Sequence, residues 1–145
     1  MAEIEVSLSA APLDIGGALA AVASPACGAI ASFIGTVREE SSVLANATRR
    51  VTALEYDAHP QIASQRLEEI AAEACGKWDV EYLVAIHRVG LCSLGEPTVL
   101  IACSAPHRGD ALEACRWTID EVKASVPIWK KEIYEEGDAW VGDDG

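Results

Sequence analysis

Residues 2 to 8 set Ile4, Val6 and Leu8 against polar neighbours, the two-residue alternation of a strand with one buried face. A short helix is expected around 15 to 23. The run GAIASFIGTV from Gly28 to Val37 is apolar, contains β-branched residues and opens on a glycine, which predicts a buried strand with Arg38 at its exit. Residues 39 to 50 (EESSVLANATRR) have no clear period and many small or polar side chains, so a mobile surface loop is expected before a strand at 51 to 57. Loops of this length often carry function.

Pro60 suits the first position of a helix, and Ile62, Ala63, Leu67, Ile70, Ala71 and Ala74 then recur at helical spacing up to Gly76. Two apolar runs, 80 to 86 and 97 to 103, are separated by a segment holding Gly90 and Gly95, which reads as adjacent antiparallel strands joined by a long hairpin, with Pro97 at a strand start. From Asp110 to Ala124 the residues Ala111, Leu112, Cys115, Ile119 and Val122 form one helical stripe, and Pro127 stops the helix soon after. Strands and helices in this mixed order predict an α+β sandwich, and residues 137 to 145 read as an acidic, frayed tail.

Composition narrows the function. A chain of 145 residues, half of them hydrophobic, fits one compact domain spanning 1 to 145. Its formal charge of -12 sets an opposing field against nucleic acid, so neither DNA nor RNA is expected as a partner. The five cysteines (Cys27, Cys75, Cys92, Cys103, Cys115) form no CxxC pair, and their odd number suits reduced thiols in a cytoplasmic protein. No stretch is apolar over the ~20 residues of a membrane span, and the acidic start MAEIEVSLSA does not read as a signal peptide.

Against that acidic background, five of the eleven basic residues (Arg108, Arg116, Lys123, Lys130, Lys131) fall between 108 and 131. His107 and Arg108 immediately precede a predicted helix, whose exposed N–H groups and dipole favour an anion such as phosphate, although a solvated loop pair is the plainer reading. His87-Arg88 is a comparable pair and is read as structural. Lys123 lies beside the apolar stripe of its helix, where covering of its stem can lower an amine pKa; Asp120, one turn earlier, offers the alternative of an ordinary surface pair. In PIWKKE (127 to 132) a proline and a large aromatic hold two lysines beside a carboxylate, an arrangement suited either to anion binding and acid/base work or to a solvated charge cluster. Cys103 and Cys115 fall on apolar faces and read as small core residues. There is no Walker loop, GxGxxG, HExxH or GxSxG, and His59, His87 and His107 are scattered, so no metal or cofactor is expected.

Taken together, GAIASFIGTVR, LEYDAHP, IHRVG, SAPHRGDALEA and VPIWKKEIYEEGDAWV resemble the molybdopterin synthase large-subunit family from about Gly28 to Val141. The resemblance implies an α/β hammerhead-type fold with an additional antiparallel β-rich subdomain. It also implies a homodimer of large subunits within a heterotetramer, with a small ubiquitin-like sulfur-carrier subunit at each outer end. The implied reaction takes sulfur from that carrier's C-terminal thiocarboxylate and converts cyclic pyranopterin monophosphate into the molybdopterin dithiolene. Position by position, Lys123 and Lys130 match the family's catalytic lysines, and Arg38, His107 and Arg108 its anion-binding residues. Lys131, Glu132, Thr36 and Val37 adjoin them and are expected to line the pocket. The acidic end after Trp140-Val141, with residues 142 to 145 reading Gly-Asp-Asp-Gly, departs from relatives that carry basic residues there and argues against a cross-subunit contact from the tail. Two rival readings are an anion-binding regulatory module and a non-catalytic groove for a ubiquitin-like partner; the joint presence of both lysines and the three anion-site residues favours catalysis.

Overall fold

A computed structural model describes residues 2–39, 50–135 and 137–141, arranged as two four-stranded sheets and three helices. The first sheet has the order β1-β4-β6-β2, built from β1 (Glu3–Ser9), β4 (Tyr82–Arg88), β6 (Pro97–Ala105) and β2 (Ala29–Thr36). Only the β1/β4 pairing is parallel. The second sheet, wholly antiparallel, has the order β5-β3-β7-β8, with β3 (Val51–Ala58), β5 (Gly90–Ser93), β7 (Ile128–Tyr134) and β8 (Gly137–Val141).

The first sheet is covered on both faces, which explains why β4 and β6 read as continuous apolar runs rather than alternating ones. Leu83, Ala85, Val99, Ile101 and Cys103 pack against α2 (Pro60–Lys77) and α3 (Arg108–Ser125), whose buried stripes include Leu67, Ile70, Ala114 and Ile119. Val84, Leu100 and Ala102 face the other way, onto Ala18 and Val22 of α1 (Ile15–Val22). Local signals start the first two helices: Asp14 accepts the Gly17 N–H at 3.0 Å, and His59 caps α2 ahead of Pro60.

Two helices carry the chain between the sheets. Helix α2 runs from β3 in the second sheet to β4 in the first, and α3 returns the chain from β6 to β7. The last turn of α3 therefore lies at the junction of the two sheets.

The strands expected at 80 to 86 and 97 to 103 are antiparallel neighbours as β4 and β6, but the segment between them is not a plain hairpin loop. Gly90, at φ +90°, redirects the chain out of the first sheet, and residues 90 to 93 pair with β3 as β5 before Gly95, at φ +77°, turns it back. Those positive φ angles favour glycine, and four residues between two glycines give little periodicity to read. The turn is closed by Arg88, which is 4% exposed. Its guanidinium donates to Glu96 Oε2 at 3.1 Å and to the carbonyls of Val89 and Leu91 at 3.0 and 2.9 Å.

The expectation of a frayed tail from Gly137 is corrected for residues 137–141, which form β8 on the edge of β7. Backbone pairing to β7 and the packing of Lys131 under Trp140, 5.2 Å from the ring centroid, order a segment whose acidic composition suggested otherwise. Residues 142 to 145 and 40 to 49, which include most of the expected loop, lie outside the described residues; Glu39 and Arg50, at either end of that loop, form an ion pair. Helix α3 begins at Arg108, two residues before the expected start.

The Arg88–Glu96 pair supports the turn from which β5 departs. Glu96→Ala should leave a buried guanidinium uncompensated and lower stability by about 3 kcal/mol, read as a shift of the urea unfolding midpoint; an unchanged midpoint would show that the turn does not depend on the pair.

Candidate active site

At the junction of the sheets lies a cavity of about 730 Å³. Its walls are the end of β2 (Gly35, Thr36) with Arg38 just beyond, the start of β6 (Thr98, Val99), the last turn of α3 with Lys123, and Tyr56, Lys130 and Glu132 from β3 and β7. Pro127 ends α3 and lets the chain turn directly into β7, so one short segment presents both Lys123 and Lys130 to the cavity.

The side chains differ in how they are held. Lys123 is exposed in overall area yet lines the cavity, and partial burial, with Arg38 nearby, lowers its pKa from the usual lysine value. Asp120, one turn before Lys123, lies 4.0 Å from the Arg116 guanidinium. Glu132 is 2% exposed and accepts a hydrogen bond from the Tyr134 hydroxyl at 2.7 Å, which fixes a carboxylate in the cavity floor.

Of the residues singled out from the sequence, Thr36, Arg38, Lys123, Lys130 and Glu132 converge on this cavity. Val37 does not line it. Val37 is buried in a small core with Val51, Leu54, Cys92 and Tyr134, and its backbone is clasped by Glu96 O at 3.1 Å and Gly95 N at 2.8 Å. Lys131 points to the opposite face of β7, 3.8 Å from both Glu55 and Asp138 and over the Trp140 ring. His107 and Arg108 are exposed at the far end of α3 and do not line the cavity. From Arg108 to Lys123 the helix rises about 22 Å, at ~1.5 Å per residue. His107 makes no side-chain cap to its helix.

The sequence reading missed His87, which was set aside as structural with Arg88. Arg88 has that role, but His87 lines the cavity. It continues the inward-facing series Leu83, Ala85, His87 on β4, a polar residue where the alternation demands a buried one, and that was the available signal. Its Nδ1 lies 2.7 Å from the Arg88 carbonyl and its ring meets Tyr56 edge-on at 4.9 Å. Burial, opposed by that hydrogen bond and reinforced by Lys123 and Lys130, holds its pKa down to about 4.

No cysteine lines the cavity. Burial pushes the Cys103 thiol up to about 12 and the Cys115 thiol up to about 11. Among the described residues, no three His, Cys, Asp or Glu side chains come together to hold a metal ion.

Two lysines and an arginine around a buried carboxylate line a cavity large enough for a small molecule, a charge arrangement that favours an anion. The family model described as MoaE protein matches residues 8–125, and the chain belongs to that family. A molybdopterin synthase catalytic subunit of Oryza sativa subsp. indica is 47% identical over 128 residues, spanning 88% of this chain but 64% of the rice protein. One from Pyrococcus abyssi (strain GE5 / Orsay) is 40% identical over 146 residues, spanning 99% of this chain and 95% of that one. The X-ray crystal structure of molybdopterin synthase from Staphylococcus aureus superposes with a TM-score of 0.84 at 34% identity, covering 98% of each chain. The family match ends before Lys130 and Glu132, which these longer alignments reach.

The thiol environments carry a direct test. At pH 8, iodoacetamide should leave Cys103 and Cys115 unmodified in the folded protein and alkylate both in urea, as read by peptide mass spectrometry; alkylation of either in the folded state would contradict the burial described.

Proposed function

We propose that this chain is the catalytic subunit of a cytoplasmic molybdopterin synthase, moving sulfur from the C-terminal thiocarboxylate of a small ubiquitin-like carrier subunit onto cyclic pyranopterin monophosphate. The observation that carries the reading is the convergence of Arg38, Lys123 and Lys130 on one cavity, in a chain of this family. Family likeness alone would not assign the residues.

Arg38 offers the planar fork that suits a phosphate, held without a metal. Lys123, whose charge is disfavoured by partial burial and Arg38, has a larger neutral fraction than an ordinary lysine at a given pH. It is suited to passing a proton to the substrate oxygen whose bond to carbon breaks as the thiocarboxylate sulfur bonds to that carbon. Lys130, from the facing strand, stabilises the anionic carrier terminus as it enters. Water then cleaves the acyl–sulfur bond, leaving sulfur on the pterin and a carboxylate on the carrier. Thr36 and Glu132 shape the wall, and Lys131 and Val37 support it from behind.

His107 and Arg108 lie too far along α3 to reach the same substrate as Lys123 within one chain. In the homodimer expected of the large subunits, a second copy supplies them, so that each cavity is completed across the subunit boundary. The chain acts as one domain from 1 to 145. Its first sheet with α1, α2 and α3 is read as the hammerhead-type fold, and the β5-β3-β7-β8 sheet as the β-rich extension.

Mixing the protein with thiocarboxylated carrier and the pterin precursor should exchange the carrier's terminal sulfur for oxygen, followed by intact mass. Lys123→Ala and Lys130→Ala should each slow that exchange about 100-fold or more. Sulfur retained in every sample despite complex formation would exclude the reaction.

The shared site has its own test. Lys123→Ala and Arg108→Ala subunits, each inactive alone, should regain roughly a quarter of wild-type turnover after equilibration, the statistical share of intact sites in a mixed two-fold dimer. No recovery, with subunit exchange verified, would place both residues in one chain's function.

A further inference from the structure

His87 is a polar group of the cavity that the reaction above leaves without a role. Its ring is fixed on two sides. The hydrogen bond from Nδ1 to the Arg88 carbonyl, 2.7 Å long, places the proton on Nδ1 and leaves Nε2 as an acceptor. Tyr56 holds the ring edge-on at 4.9 Å and 75°, and the Thr98 hydroxyl, also on the cavity wall, donates to Gly35 O at 3.2 Å. Most buried side-chain polar atoms have a hydrogen-bond partner. Here, among the described residues, Nδ1 alone has a hydrogen-bond partner, and the residue forms part of the cavity wall.

The surroundings fix its charge as well as its direction. The groups that face it are Tyr56 from β3, Lys123 from α3 and Lys130 from β7, with the Arg88 guanidinium turned away toward Glu96. Burial first, and the two lysine charges after it, disfavour imidazolium, so the ring stays neutral through the ordinary working range of pH. Around it the cavity is lined by three cationic side chains, Arg38, Lys123 and Lys130, and one Glu132 oxygen accepts from Tyr134. A ligand recognised by cations alone would be any small anion.

We infer that His87 Nε2 is a specificity-determining hydrogen-bond acceptor, reading an N–H or O–H donor on the heterocycle of the bound substrate while the cations hold its phosphate. The inference rests on the functional reading above and gives it a selectivity element. A pterin offers amino and ring N–H donors at a distance from its phosphate, whereas inorganic phosphate has no heterocycle to reach the ring once the cations hold it. Because burial of an unsatisfied acceptor is costly, a ligand without that donor is penalised as well as less attracted.

The test compares two probes, cyclic pyranopterin monophosphate and inorganic phosphate, by isothermal titration of the wild-type protein, His87→Phe and His87→Gln, each verified as folded by its melting temperature. Phenylalanine keeps a ring but no acceptor; glutamine places an amide oxygen near the former Nε2. His87→Phe should weaken the pterin phosphate at least 10-fold and inorganic phosphate less than about 2-fold, and His87→Gln should recover most of the loss. In 15N-histidine spectra of the wild type, the Nε2 resonance should move on adding the pterin phosphate and stay in place with inorganic phosphate. Equal losses for both probes, unchanged pterin binding by His87→Phe, a His87→Gln variant as weak as His87→Phe, or an unmoved Nε2 resonance would each overturn the inference. Pterin binding by wild type with any of those results overturns it alone, whereas wild-type protein that binds no pterin phosphate overturns the functional reading with it.

Discussion

The site depends on one mechanical constraint: α3 is anchored to the first sheet while the strand that follows it is anchored to the second. Ala111, Ala114, Cys115, Ile119 and Val122 seat the helix in the larger core, and the register of β7 on β3, with Tyr56 opposite Lys130 and Leu54 opposite Glu132, seats the strand. Pro127 allows only a short connection between them. The cavity is the space left where these two anchored elements diverge, and Lys123 and Lys130 face each other because neither sheet can shift without breaking its own pairing.

A chain of formal charge -12 has concentrated cations around one cavity, an arrangement that attracts small anions. The surrounding acidity does not cancel that attraction at close range, since solvent and salt screen distant charges while a partly enclosed pocket screens its own less. The same arrangement sets protonation states. Arg38 and partial burial act against the Lys123 charge, and both lysines act against a charge on His87. The pocket thus combines a permanent cation, an amine of lowered pKa and a neutral imidazole, three functions drawn from groups that would all be cationic or nearly so if crowded without such mutual effects.

Elsewhere charge serves structure. Arg88 spends its donors on Glu96 and two turn carbonyls, and Lys131 spans Glu55, Asp138 and Trp140 at the outer edge. In each sequence pair, His87-Arg88 and Lys130-Lys131, strand alternation sends one member to the cavity and the other to a supporting contact. Identity and spacing could not rank the two members; their side of the sheet does.

Elements governed by short-range rules were legible in the sequence: β1 by its alternation, α2 by Pro60 and its stripe, α3 by its stripe and Pro127, β4 and β6 by their apolar length. The resemblance carried by PIWKKE and the upstream HR pair also pointed to Arg38, Lys123, Lys130 and Glu132, which the structure brings together. Partners distant in the chain decided the rest. Segments 90–93 and 137–141 are strands because β3 and β7 offer edges for them, a condition their own few residues do not encode. His87 belongs to the cavity because β4 ends beside Tyr56, and His107 and Arg108 stand apart from Lys123 because a helix keeps its two ends apart. Local propensity and periodicity are written residue by residue, whereas which faces meet is settled only when the sheets pair and the core closes.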